Sequence, residues 1–294
     1  AVSYAVVAYQ TAYFKCHYTR EYMAALLTSV LDNSDKVAEY IAECRECGIA
    51  LLPPDVNRSY DGFTVEEGGI RFGLVAIKNI GRGFIQSVVR QRELGGPFTS
   101  LQDFCRRMGD TKDMNKRAVE NLIRAGAFDS MGAHRSQMVQ VYEKIMDAIA
   151  ASQRANVEGQ LDFFGMAGGG QRADDVALPD IPEFSATERM FMEKETTGLY
   201  LSGHPMSDYR GAARAAGAVS IHSILEDAEQ QGGRFSDGQL LTIAGVITVS
   251  RTRTTKNNTL MAYVTVEDEL ASMELLCFSR VIDRCGAYMQ VNLP

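Results

Sequence analysis

The stretch AIKNIGRGFIQSVVRQREL, residues 76–94, combines glycines and cations in a spacing that suits phosphate binding. A short helix, a turn and a second amphipathic helix are predicted here, which together make a helix–hairpin–helix. Gly81 and Gly83 would let the backbone approach a phosphate, and the free N–H groups of the second helix would face it. Lys78, Asn79 and Arg82 flank that turn. The alternative is a plain corner between two helices, but the basic flanks favour contact with a DNA backbone.

A second stretch, NKRAVENLIRAGAFDSMGAHRSQMVQVYEKI at 115–145, repeats the same plan. Gly126 marks its hairpin, and Arg124 and Arg135 are its cationic flanks. Two such units in tandem predict a clamp on both strands of a duplex. Contacts of this kind give affinity without reading the sequence of the bases.

The last part of the chain alternates apolar and polar residues in short strands joined by the basic turn RTRTTKNN. This pattern is typical of the opening of an OB barrel, a common binder of single strands. Arg251, Arg253 and Lys256 would face phosphates, and Tyr263 or Phe278 could stack on bases. An ordinary β-hairpin with a soluble tip is the alternative.

The stretch GQLDFFG, residues 159–165, is too apolar for the linker in which it lies. It follows an alanine-rich helical pattern and precedes a run of glycines. Either it forms a buried strand or it is a peptide exposed for a partner. Its position after the second hairpin unit favours a partner.

Few residues suit catalysis or metal binding. The sequence has no Asp-x-Asp pair, so the usual carboxylate site for two metal ions is missing, and no metal site is predicted. Cys44 and Cys47 form a CxxC inside a helical pattern, without a second pair at metal-ligand spacing. Two glutamate pairs with i, i+2 spacing are interpreted as solvated surface: Glu193 with Glu195, and Glu267 with Glu269. On these grounds the chain binds rather than catalyses.

Length and charge are those of a soluble protein of two to four modules. The chain has 294 residues and a net charge of −7. Residues 71–154 nevertheless carry 14 Lys and Arg against 8 Asp and Glu, which predicts one module that faces nucleic acid. Six dispersed cysteines fit a reducing cytoplasm, and no apolar run reaches the ~20 residues of a membrane span. The missing initiator methionine leads us to expect a fragment of a longer protein.

The fold class predicted is multidomain and mainly α, with a small β-hairpin insert, the tandem helix–hairpin–helix module and a partial OB-type β barrel. Helices are predicted within 1–48, a strand at IALLPPDV, and a hairpin at FTVEEGGIRFG with Gly68 and Gly69 in its turn. Further helices are predicted within 74–150, at 185–197 and around 205–228. The expected segments are 1–70, 71–150 for duplex DNA, a linker at 151–180, a helical connector at 181–238 and the β region at 239–294.

Several long motifs together resemble those of a known family. YAVVAYQTAYFKCHYTREYMAALLTS, LPPDVNRSYDGFTV, IRFGLVAIKNIG, LIRAGAFDSMG and TGLYLSGHPMSDY occur in this order. Over the whole chain they resemble the bacterial replicative DNA polymerase III alpha subunit. Residues 1–70 would then be part of the fingers, which close over the incoming nucleotide, and the two hairpin units would grip the duplex. The final strands would be about three of the five in the family's OB domain, facing single-stranded template.

The resemblance also implies partners and roles for individual residues. Tyr9, Gln10, Tyr13 and Lys15 match a helical motif of the fingers, near the nucleotide. The stretch QLDFF matches the family's peptide for the sliding clamp, the beta subunit, with Phe163 in place of the usual Leu or Met: Gln160, Leu161, Asp162, Phe163 and Phe164. The whole enzyme would extend a primer with Mg²⁺ held by palm aspartates upstream, so this fragment would be inactive alone. Other replisome subunits would be partners as well.

Two other kinds of protein fit the hairpins and the strands without the resemblance. One is a free-standing DNA-binding scaffold, and the other is a fragment of a DNA repair nuclease or ligase. Residues 1–70 discriminate, because repair enzymes have no reason to carry YQTAYFK followed by PPDVN.

Overall fold

The computed structural model describes residues 2–31, 33–109, 111, 114–157, 176–230, 233–255 and 258–292. Three helices open the chain: α1 (Val2–His17), α2 (Thr19–Ser29) and α3 (Ser34–Glu46). The Asn33 side chain accepts a hydrogen bond from the Lys36 amide at 3.1 Å and so caps α3. After α3 the chain turns at Gly48, whose φ of 70° suits glycine. The helices predicted within 1–48 are confirmed.

A three-stranded sheet follows, built from β1 (Ala50–Leu52), β2 (Thr64–Glu66) and β3 (Gly69–Arg71). β3 lies in the middle, parallel to β1 and antiparallel to β2. The predicted hairpin is confirmed, but its turn is Glu67–Gly68, because Gly69 already pairs with Glu66. A side chain at Gly69 would overlap the carbonyl oxygen of Ala50. Gly69 therefore serves the close approach of β1 rather than the turn.

Five helices build the region that carries the hairpin units: α4 (Arg82–Gly95), α5 (Leu101–Met108), α6 (Lys116–Arg124), α7 (Arg135–Val157) and α8 (Ala186–Thr197). Phe104 lies at the centre of their core. Its ring contacts those of Phe98 and Phe128 edge-on, with centroids 4.9 and 5.0 Å apart. Ser185 and Glu188 cap α8 reciprocally, which confirms the helix predicted at 185–197.

Residues Gly203–Pro294 form a second compact unit, separate from Ala1–Ser202. Its elements are α9 (Arg210–Ala215), α10 (Ile221–Gln230), β4 (Val246–Thr254), β5 (Leu260–Glu267), β6 (Ser272–Phe278) and α11 (Ser279–Cys285). The strands form an antiparallel sheet in the order β4-β5-β6, and alternate residues of β5 are buried. In the described part of this unit the sheet is open, so the OB-type barrel is not confirmed. None of the described helices is long and apolar enough to cross a membrane.

Candidate nucleic-acid interface

The first hairpin presents the open end of a helix to solvent. A single 3₁₀ turn, Leu74–Ala76, replaces the short first helix that the sequence predicts, and α4 begins at Arg82. Gly81 occupies the N-cap position in extended conformation, and no side chain caps the helix. The amides of residues 82–84 have no acceptor within the helix, as at any helix start. Gly81, Arg82 and Gly83 are all exposed.

Two helices distant in the sequence hold this hairpin in place. The Lys78 amide donates to the Thr196 carbonyl at 2.8 Å, and the Lys78 Nζ donates to the Glu195 carbonyl, also at 2.8 Å. The Asn121 side chain of α6 donates to the Lys78 carbonyl at 2.6 Å. Asn79 adopts the left-handed region with φ of 64°, which asparagine tolerates better than most residues. The position of the turn is therefore fixed before any ligand arrives.

Arg82 is the available cation of this hairpin. Its side chain makes no hydrogen bond or ion pair with any residue that the structure describes. It lies at the first position of α4, beside the open amides, where the helix dipole is positive. Lys78, by contrast, is already bound to a carbonyl. The structure thus places Lys78, Asn79, Gly81, Arg82 and Gly83 together at the exposed start of α4. Their contact with DNA stays a prediction.

The second hairpin unit differs from the prediction because Arg135 is interior. Its side chain is 4% exposed and forms ion pairs with Asp129 at 2.6 Å and Glu193 at 3.0 Å. It also donates to the Arg124 carbonyl at 3.2 Å. Gly126, with φ of 81°, lies directly beneath the guanidinium, so that any side chain there would overlap it. Gly126 and Arg135 therefore organise the hairpin from within, and neither faces an approaching phosphate.

The carboxylate of Glu183 occupies the start of α7. It accepts hydrogen bonds from the amides of Arg135 at 2.8 Å, Ser136 at 3.1 Å and Phe184 at 2.8 Å. Burial by itself would raise the pKa of Glu183, but these three backbone donors stabilise the charged form, and the net result is a lowered pKa. The amides that would receive a phosphate at the second hairpin are thus taken by a residue of the same chain.

Two glutamates of α8 complete this arrangement. Glu193 is 1% exposed and accepts hydrogen bonds from the Leu201 and Ser202 amides as well as from Arg135. The interpretation of Glu193 as solvated surface is wrong, since its carboxylate is an interior partner. Glu195 is 67% exposed and lies on the surface, as expected. Its carboxylate pairs with Arg124, the other cation predicted for the second hairpin unit. Spacing alone could not distinguish the two, because they lie on opposite sides of one helix.

The residues assigned to the fingers lie along α1. Tyr9, Gln10 and Tyr13 are exposed, and the rings of Tyr9 and Tyr13 stand 6.5 Å apart. Lys15 forms an ion pair with Glu43 of α3, which raises the pKa of Lys15 chiefly through the hydrogen bond to that carboxylate. Their role at a nucleotide stays a prediction.

Two of the three cations assigned to single-stranded DNA lie on a strand rather than in the predicted turn. Arg251 and Arg253 are exposed on β4, opposite Tyr263 and Met261 of β5. The Arg253 guanidinium lies 6.0 Å from the centre of the Tyr263 ring. Lys256 and the whole clamp peptide, Gln160 to Phe164, fall outside the described residues.

Metal ligation has no support among the residues that the structure describes. They contain no group of three or more His, Cys, Asp or Glu side chains that could hold a metal ion. Burial raises the pKa of the Cys44 thiol to about 11, so this half of the CxxC is an inert protonated thiol at neutral pH.

Comparisons with known proteins agree with the hairpin geometry and with the resemblance. A family model described as helix-hairpin-helix motif matches residues 48–138. DNA polymerase III subunit alpha of Saccharopolyspora erythraea is 42% identical over 288 residues, which cover 95% of this chain and 23% of the relative. The same subunit of Deinococcus radiodurans is 37% identical and covers 100% of this chain and 22% of the relative. That of Vibrio cholerae is 34% identical and covers 99% and 24%.

The resemblance inferred from the motifs is confirmed by these relatives, and the helix–hairpin–helix by the matching family model. The chain spans about a quarter of the length of the curated relatives it matches.

Proposed function

We propose that this chain, which belongs to the DNA polymerase III subunit alpha family, holds double-stranded DNA through the hairpin that precedes α4. The observation that carries the proposal is the uncapped, exposed start of α4 with the free cation Arg82 beside it. Peptide N–H groups and a guanidinium bind phosphate oxygens without regard to base identity. An enzyme that moves along DNA of any sequence needs contacts of this kind.

The whole subunit would be a DNA-directed DNA polymerase that adds deoxynucleotides to a primer end, and this chain would hold the primer–template duplex. Mg²⁺ would serve that reaction at palm aspartates upstream of this chain, as the resemblance implies. Tyr9, Gln10, Tyr13 and Lys15 would lie on the nucleotide side through α1. Arg251 and Arg253, with Lys256, would contact single-stranded template.

The peptide Gln160–Phe164 would dock in a hydrophobic pocket of the sliding clamp. Its sequence, QLDFF, offers two aromatic anchors in a row, and aromatic side chains dominate many interfaces. Tethering to a clamp would raise the effective concentration of the polymerase at the primer end between steps. Other replisome subunits would be further partners.

Replacing Arg82 tests the duplex contact. Arg82→Ala should weaken binding of a random-sequence duplex and reduce the slope of log affinity against log salt by about one, as loss of one phosphate contact does. The measurement is fluorescence anisotropy of a labelled duplex at several salt concentrations. Arg90→Ala removes the same charge from an exposed position two turns further along α4 and serves as the control. Equal slopes for wild type and Arg82→Ala would show that Arg82 makes no phosphate contact and would contradict the assignment of this hairpin to the DNA interface.

Replacing both phenylalanines tests the clamp peptide. Phe163→Ala with Phe164→Ala should weaken binding of the chain to the clamp of its own host by at least ~2 kcal/mol, as loss of aromatic anchors does. Titration calorimetry with the purified clamp measures this, and Asp162→Asn is a control that keeps both rings. Clamp affinity that is indifferent to the double substitution contradicts the assignment.

A further inference from the structure

The segment 183–195 supplies three carboxylates to the second hairpin unit. Each contacts a group that could otherwise bind an anion. Glu183 covers the amides at the start of α7, Glu193 pairs with Arg135, and Glu195 pairs with Arg124. Residues 183–195 therefore satisfy internally the positions at which the sequence predicts a second set of DNA contacts.

These three glutamates are not held equally. Glu183 accepts three backbone hydrogen bonds, and Glu193 is buried with a guanidinium and two amides as donors. Glu195 is the exception, because its exposed carboxylate meets the Arg124 guanidinium alone. An exposed ion pair contributes little to stability, whereas removing a partner from a buried one is costly. Glu195 is thus the one carboxylate of the three that can be exchanged without disturbing the fold.

Arg124 is a suitable partner for a replacement anion. Glu195 connects Arg124 to the first hairpin. Its backbone carbonyl accepts a hydrogen bond from Lys78, and its carboxylate pairs with Arg124, so Arg124 lies beside that hairpin. The Arg124 Nε is enclosed and has no hydrogen-bond partner within the described structure. Arginine binds phosphate in the same forked geometry as it binds a carboxylate.

We propose that Glu195 is a placeholder for a DNA phosphate: when duplex DNA binds at the first hairpin, a backbone phosphate replaces the Glu195 carboxylate at Arg124. This inference rests on the proposed function, because it needs a duplex at the first hairpin. The exchange moderates affinity. In the wild-type protein, binding of the phosphate to Arg124 releases one counterion from the DNA. The displaced Glu195 carboxylate attracts a cation from solution in turn, so this contact adds little to the net release of counterions.

Neutralising Glu195 tests the exchange. Glu195→Gln removes one of the two carboxylates at Arg124 before DNA arrives and leaves the pair with Glu120 of α6, 3.3 Å away. The full chain should then bind a random-sequence duplex about fivefold more tightly near 0.1 M salt, with a salt slope steeper by about 0.9. Glu39→Gln is the matched control, since it removes a carboxylate from another exposed ion pair, with Lys36 on α3. Arg124→Ala is combined with Glu195→Gln to complete a double-mutant cycle.

The outcomes separate the inference from the function on which it rests. Tighter binding that disappears in the double variant with Arg124→Ala supports the exchange. A gain that survives without Arg124, or one matched by Glu39→Gln, reflects net charge alone and overturns it, as does unchanged binding. If the wild-type chain binds no duplex, or Arg82→Ala leaves its salt slope unchanged, the proposed function itself fails.

Discussion

Gly81→Asp should stabilise the protein and abolish most of its binding to duplex DNA. Gly81 already has the extended N-cap conformation, and a Cβ built there meets no atom within 4 Å. An aspartate would accept hydrogen bonds from the open amides of α4, interact with the helix dipole and restrict the unfolded chain. Together these effects are worth about 1 kcal/mol in the free energy of unfolding. The same carboxylate would occupy the phosphate position and repel DNA, so affinity should fall at least about tenfold, or 1.4 kcal/mol.

Urea unfolding and duplex binding of the same preparations measure the two effects. Gln91→Glu is the matched control, because it adds one negative charge on α4 more than two turns from Arg82 and the first amides. A large loss of binding with Gly81→Asp and a small one with Gln91→Glu would locate the phosphate at the helix start. Equal losses for the two variants would contradict that location. Opposite changes in stability and binding also exclude unfolding as the cause.

Arg135→Ala should destabilise the protein by about 3–5 kcal/mol, because it leaves the carboxylate of Glu193 buried without its cation. Asp129 and the Arg124 carbonyl would lose a donor as well. The effect should appear as a lower urea midpoint with little change in slope. In conditions where the variant is still folded, its salt slope for duplex binding should equal that of the wild type.

Arg106→Ala provides the comparison for Arg135→Ala. The exposed side chain of Arg106 pairs with Asp103 on α5, and Asp103 keeps Arg107 and the Thr99 amide as partners when Arg106 is removed. Its loss should therefore cost no more than about 1 kcal/mol. A stability loss at Arg135 no larger than at Arg106 would show that the interior network contributes little. If folded Arg135→Ala shows a smaller slope of log affinity against log salt than the wild type, Arg135 contacts DNA after all.

Local signals in the sequence were sufficient to locate the first hairpin, because all of its predicted contact groups lie within residues 78–83. They did not show that α6 and α8 hold the turn in position through Lys78. The ends of α3 were equally local, because Asn33 and Gly48 act on amides and carbonyls only a few residues away. The sequence did not indicate that the first helix of this unit is reduced to one 3₁₀ turn.

The environment of the second hairpin could not be predicted from local sequence, because residues distant in the chain determine the partners of its cations. Glu193 lies 58 residues from Arg135, and Glu183 lies 48 residues away. Both units show the same pattern of glycine and arginine, yet only one leaves its helix start open. The strands of the β region were likewise predicted by alternation, whereas closure into a barrel depends on pairings that no local pattern specifies.

The contacts of Lys78 with α8 affect the order in which parts of the chain fold. The turn at residues 78–81 depends on Thr196 and Glu195, which follow it by more than one hundred positions and lie beyond the 48–138 range of the motif. Contacts between positions so far apart form late, since closing so long a loop costs chain entropy. During synthesis, the hairpin therefore leaves the ribosome well before the helix that supports it. The turn of the first hairpin thus completes its geometry only when residues 186–197 have packed against it.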